Sequence, residues 1–220
     1  MVKIGTKIMT NDKIRWGLTL VLGMMVLFWR VVIPANFEIT AGTVVLVVLL
    51  DSVLLASVIF LNLKELKEAF ARKFILKDAL KVVLVFASAT VIMGIMLPLI
   101  MLNLGLEQAI PPAQQSANEF QKVFPIGAFL SMAILAPIYE EIVFRMAGKN
   151  LIKNDVLFVL VTPILFAFIH TINFSLMDNL FYLIFGIFLS ISYLIVMDIR
   201  VLMIMHLLWN IIGAISSFYQ

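Results

Sequence analysis

Cysteine is absent, charge is scarce, and histidine occurs only twice in 220 residues. Without cysteine the chain has no disulfide, no thiolate zinc site and no cysteine nucleophile. Charged residues make up 13% of the chain, against about 25% in soluble domains. A sizeable soluble domain is therefore excluded. Three signatures of intramembrane hydrolysis are missing too. There is no His-Glu-x-x-His helix for a zincin-type site, no Gly-x-Gly-Asp stretch for an aspartyl type and no Gly-x-Ser element for a serine type. The tail Ser216-Ser217-Phe218-Tyr219-Gln220 offers no cysteine to prenylate, so the chain is not expected to be a lipidated substrate itself.

Apolar residues are what remain: 63% of the chain, with a mean hydropathy of +1.12. This composition predicts an all-α, polytopic membrane protein with about seven transmembrane helices. The expected spans are Trp16–Ile33, Ile39–Leu63, Val82–Leu104, Pro125 to Gly148 or Leu151, Val156–Asn173, Leu176–Met197 and Val201–Phe218. The first is too long for a signal peptide and lacks a small-residue cleavage pattern, so it reads as a retained span. A short interfacial helix is expected at Ala113–Lys122, in the polar loop before the fourth span.

The net charge of +3 lies in short loops and speaks to topology rather than to nucleic acid, which is not an expected partner; membrane lipid is. Residues 1–15, 64–81, 147–155 and 198–200 carry most of the Lys and Arg. Loops near 34–38, 105–124 and 172–178 hold Glu38, Glu107, Glu119 and Asp178 against Lys122 alone. Positive-inside bias then places the protein in the cell membrane with its N-terminus cytoplasmic and its C-terminus outside.

Against this background, residues 136–146 stand out, because they place Glu140, Glu141 and Arg145 in a lipid-compatible run. A charge at the bilayer centre costs roughly 2.5–3.5 kcal/mol on translocon scales, so the default reading is a functional site facing a bundle interior. Glu141 and Arg145, four apart, can pair with each other. Glu140 points about 100° away on a regular helix and is left free. Burial would raise such a free carboxylate towards neutrality, which suits a general base.

The two histidines, His170 and His206, both lie inside expected spans, and Asn210 shares a helix face with His206. Asp51 sits midway along the second span with no obvious partner nearby; Arg145, Arg30 or a polar cavity could take it. Taken singly, an intramembrane histidine or asparagine is ordinary interhelical glue. Both histidines, an acidic pair and an asparagine on three spans together suggest more.

Glu-Glu-x-x-x-Arg, then Phe-x-x-x-His, then His-x-x-x-Asn resembles the CAAX protease and bacteriocin-processing (CPBP, or Abi) intramembrane protease family. The likeness covers about residues 125–215, which divides the chain into a variable N-terminal part, 1–124, with three spans and a CPBP-like core, 125–220, with four. Met146 departs from the glycine that often follows the motif arginine. The resemblance implies an intramembrane endopeptidase acting on a membrane-associated protein or peptide, of CAAX or bacteriocin-leader type. Glu140 would activate water with help from His170. His206 and Asn210 would stabilise the oxyanion, and Glu141 and Arg145 would structure the site. Members have been described both as metalloproteases and as glutamate-dependent enzymes. Glu140, His170 and His206 could hold zinc with an open fourth position. The metal-free form is favoured, because asparagine is a good oxyanion donor and a poor zinc ligand. Family ties to self-immunity leave a second class open: a non-catalytic bacteriocin immunity or membrane scaffold protein.

One requirement follows from helix rise. Glu140 should lie roughly 14–20 Å from the loop at 149–153, His206 about 9 Å past Arg200 and His170 about 22 Å past Asp155. Convergence needs a tilt, a kink at Pro163, or helices that start deep in the membrane.

Overall fold

The computed structural model describes residues 12–26, 28–105, 112–171 and 176–217. The basic arm at Lys3 and Lys7, Glu107, and the expected ends of the fifth and seventh spans at Asn173 and Phe218 lie outside these residues. Every regular element described is helical. In chain order they are α1 (Asp12–Val32), α2 (Ala41–Leu61), α3 (Leu63–Ala71), α4 (Leu76–Asn103), α5 (Pro112–Val123), α6 (Pro125–Leu151), α7 (Asp155–Thr171), α8 (Leu176–Val196) and α9 (Ile199–Ser217). Among the described residues six helices are long and apolar enough to cross a membrane, and α7, described over 17 residues, is shorter. The expected interfacial helix is α5, anchored by the fully buried Phe120. The protein is a multi-pass all-α membrane protein.

Helix α2 shows how a span is built. Val44, Val47, Asp51, Leu54 and Val58 recur at three- and four-residue spacing and form its buried stripe. Its other faces present side chains such as Val53 and Phe60 outward, as a lipid-facing helix must. Thr40 caps its start by accepting from the Thr43 amide.

Four stretches widen to π-helical turns: Phe28–Val32, Thr90–Met96, Leu130–Leu135 and Glu141–Ala147. The first three each run directly into a short α-helical piece with proline in its first turn, at Pro34, Pro98 and Pro137. A proline ring clashes with the carbonyl four residues back, and a widened turn relieves the clash. The fourth has no proline after it, and it carries Glu141 and Arg145. π-Turns of that kind are frequent at functional sites.

The four basic segments meet at one end of the bundle. Arg15 pairs with Glu65, Lys153 lies over the Trp16 ring, and Arg72 pairs with Asp78 and Asp198. Burial pushes the Asp198 carboxyl up, but hydrogen bonds from Arg200 and the charges of Arg200 and Arg72 outweigh it and hold the group low. This cluster also answers the depth requirement. Met197, with φ of 53°, turns the chain sharply into α9. Ile199 to Met203 are buried, and Arg200 reaches the Arg72 carbonyl. Helix α9 therefore starts inside the protein, which lifts His206 to the level of the acidic pair.

Helices α7 and α8 touch closely where Gly186 faces Pro163. A Cβ at Gly186 would lie 3.0 Å from Pro163 Cα and 3.3 Å from a Phe166 ring carbon. Gly186→Val is expected to force the helices apart at a cost of about 1–3 kcal/mol, read as a lower melting temperature in detergent.

Candidate active site

The acidic pair sits where α6 passes from α-helical to π-helical winding: Glu140 ends one piece and Glu141 opens the next. Both are buried. His206 of α9 faces the two together. Its Nδ1–H donates to Glu141 Oε1 at 2.8 Å, and its Nε2 lies 3.8 Å from Glu140 Oε2. His170, near the end of α7, approaches from the other side. Its Nδ1–H donates to the Phe166 carbonyl at 2.7 Å, leaving Nε2 3.8 Å from Glu140 Oε1. Each histidine has its Nδ1 proton committed, and both Nε2 atoms converge on one carboxylate. The ring of His170 is clamped by Tyr182, stacked at 4.1 Å, and by Phe166 at 4.6 Å.

Glu140 makes no direct hydrogen bond among the described residues, as expected of the free carboxylate. A gap of 3.8 Å exceeds a hydrogen bond, yet one water with two arms of about 2.8 Å can close it. Glu141 faces Arg145, as its spacing suggested, and has a second partner besides. It lies 3.6 Å from Arg145 Nε, an ion pair without a hydrogen bond, while its other oxygen orients His206. Arg145 is fully buried, and its Nε and Nη1 have no hydrogen-bond partner among the described residues. Its guanidinium rests instead over the Phe166 ring at 4.8 Å.

Asn210 departs from the simple picture. Its Nδ2 donates to the Met132 carbonyl at 3.0 Å, in the π-turn Leu130–Leu135. One amide proton is thus engaged, and the other remains for a ligand. Asn210, Glu140, His170 and His206 line one cavity of about 340 Å³, together with Gln121 and Ser217. Ser217 donates to Gln121 at 2.7 Å, tying α5 to the end of α9. Ser217 lies at the opposite end of α9 from Arg200 and the basic segments.

Sequence reasoning left the partner of Asp51 open, and it missed that Arg30 belongs to the site. Asp51 is 0% exposed and accepts from Arg30 Nη2 at 2.6 Å, Arg30 Nε at 3.2 Å and Trp29 Nε1 at 3.0 Å, with the Ser131 hydroxyl as a fourth donor. Arg30 also donates to the Ser131 carbonyl at 2.9 Å and forms part of the cavity wall. No pattern in the sequence joins residues 21 and 101 positions apart.

The zinc alternative depends on how the donors aim. The Nε2 atoms of His170 and His206 approach different oxygens of Glu140. Among the described residues no three His, Asp or Glu side chains gather as a ligand set. The arrangement does not close into a three-ligand site, and no step below is routed through a metal.

Comparison with known proteins bears out the resemblance carried by the three motifs. Residues 122–212 match the family described as Type II CAAX prenyl endopeptidase Rce1-like, and all seven motif residues fall within that match. The chain is similar to three lactococcal proteins. It is 45% identical over 58 residues to UPF0177 protein YaiH of Lactococcus lactis subsp. lactis (strain IL1403), covering 26% of this chain and 25% of that one. It is 34% identical over 106 residues to UPF0177 protein YvdC of the same strain, covering 47% and 40%. It is 42% identical over 57 residues to the UPF0177 protein in abiGi 5'region of Lactococcus lactis subsp. cremoris, covering 26% and 25%. The matched stretches thus span 25% to 40% of these relatives' own length. No solved structure matches.

Proposed function

We propose that this chain, with its Rce1-like core at residues 122–212, is an intramembrane endopeptidase of the glutamate type. One observation carries the reading. Two histidine Nε2 atoms, each with its Nδ1 proton committed elsewhere, stand 3.8 Å from a single buried carboxylate in a cavity of about 340 Å³.

The chemistry follows from the donors. Water bound between Glu140 and His170 gives a proton to Glu140 as its oxygen attacks the peptide carbonyl carbon. The C=O electrons move onto oxygen. The free amide proton of Asn210 and a protonated His206 Nε2 then face the oxyanion. Glu141, accepting from His206 Nδ1, fixes the ring orientation and balances the imidazolium charge, as the aspartate of a hydrolytic triad does. Glu140 returns its proton to the leaving nitrogen, the C–N bond breaks, and acid and amine products result. Arg145 keeps Glu141 in place. The substrate proposed is a membrane-associated protein or peptide. The division at residue 124 is functional in this reading: the core supplies the reacting groups and the N-terminal spans close the cavity.

Purified protein in detergent, given a pool of apolar synthetic peptides, is expected to generate new termini by mass spectrometry. A pool left intact would overturn the reading.

The proposed orientation keeps the N-terminus and the basic end cytoplasmic, so the side of the cavity lined by Gln121 and Ser217 faces outward. The lack of cysteine makes this testable without background. Glu119→Cys should react with an impermeant maleimide on intact cells, and Lys67→Cys only after permeabilisation. The opposite pattern would reverse the topology.

A further inference from the structure

The Arg30 cluster is more than a neutralised charge. Nε and Nη2 of Arg30 are fixed by Asp51 and by the Ser131 carbonyl and hydroxyl. Asp51 is saturated by donors from Trp29, Arg30 and Ser131. Nη1, with two N–H groups, has no partner among the described residues, and it is not among the buried unpaired atoms, so it retains accessible surface. The side chain is 13% exposed and lines the cavity that holds Glu140, His170 and His206. A guanidinium locked along one edge, with its other end open to a reaction cavity, is a preorganised donor.

We infer that Arg30 binds substrate, its Nη1 donating to a main-chain carbonyl oxygen of the bound peptide. The charge of the surroundings selects that acceptor. Asp51 already compensates Arg30, Glu141 faces Arg145, and Glu140 faces the His206 imidazolium of the proposed mechanism, so no unpaired cation is left in the cavity wall. A free carboxylate brought beside Arg30 would lose its hydration, find no unpaired cation and be repelled by Asp51 in a medium that screens little. A neutral carbonyl takes the same hydrogen bonds without that penalty. The segment read by Arg30 is therefore internal to a chain, and the scissile bond lies away from a free C-terminal carboxylate. This rests on the protease reading and names what its site selects.

The test uses the full-length protein in detergent and two soluble probes, N-acetyl-trialanine amide and N-acetyl-trialanine with a free carboxylate, titrated by calorimetry. The amide is expected to bind at least about tenfold tighter than the acid. Arg30→Gln combined with Asp51→Asn removes the charge pair as a unit, leaves no lone buried charge, and should weaken the amide by about tenfold or more. Arg30→Lys, which keeps the charge but loses the guanidinium edge, should weaken it as well. Preference for the acid, no binding of either probe to the wild type, or full amide affinity in both variants would overturn the inference. The protease reading fails on a different result, unchanged peptide cleavage by the Glu140→Gln protein, on which this titration does not depend.

Discussion

Glu140→Gln is expected to lower peptide hydrolysis by at least about 10³-fold while leaving the protein folded and normally abundant. Glutamine has the same shape but cannot take the proton from water. Glu140 makes no direct hydrogen bond among the described residues, and the nearest histidine nitrogens stand 3.8 Å away, so the substitution orphans no partner. Removing a buried charge also removes its desolvation cost. The measurement is a turnover assay at matched protein concentration beside a melting curve. Glu141→Gln should behave differently. Arg145 would lose its ion partner in a fully buried setting, so stability should fall along with activity. That contrast between adjacent carboxylates separates a reacting group from a supporting one.

Asp51→Leu is expected to have the largest effect on stability, about 3–5 kcal/mol, because it strands the Arg30 guanidinium in the bundle without a counter-charge. Trp29 Nε1 and the Ser131 hydroxyl would lose their acceptor in the same step. Breaking one side of a buried pair leaves an uncompensated charge, whereas replacing both sides with apolar residues is often neutral. Arg30→Met added to Asp51→Leu should therefore recover most of the loss. Melting temperatures of the wild type, both single variants and the double variant give the coupling directly. A double variant as unstable as Asp51→Leu alone would show that Asp51 acts through other contacts.

How far the sequence was legible depends on the range of the interaction. The spans follow from apolar run length, and all have helical counterparts, because a chain in lipid must satisfy its backbone within each segment. Glu140, His170, His206 and Asn210 could be named together because each is a polar residue where lipid forbids one. Their meeting at one cavity bears out the expected convergence. The mechanism of convergence was not visible: the buried start of α9 depends on Arg200, Asp198 and Arg72, which are distant in sequence. Regular-helix geometry put about 100° between the two glutamates, yet both face His206, at the point where the π-turn Glu141–Ala147 begins. Three other π-turns could have been anticipated from Pro34, Pro98 and Pro137; this one has no such marker. The Arg30–Asp51 pair stayed open for the same reason as the α9 cluster, since it joins α1 to α2 through space.

The most direct test of the central claim compares cells expressing wild-type protein with cells expressing Glu140→Gln at matched abundance, profiling the termini of membrane-associated proteins and peptides by mass spectrometry. Hydrolysis at Glu140 predicts a set of termini present only with the wild type, internal to their parent chains. Identical profiles, with the Glu140→Gln protein still performing its cellular role, would contradict proteolysis and leave a membrane protein that acts by binding.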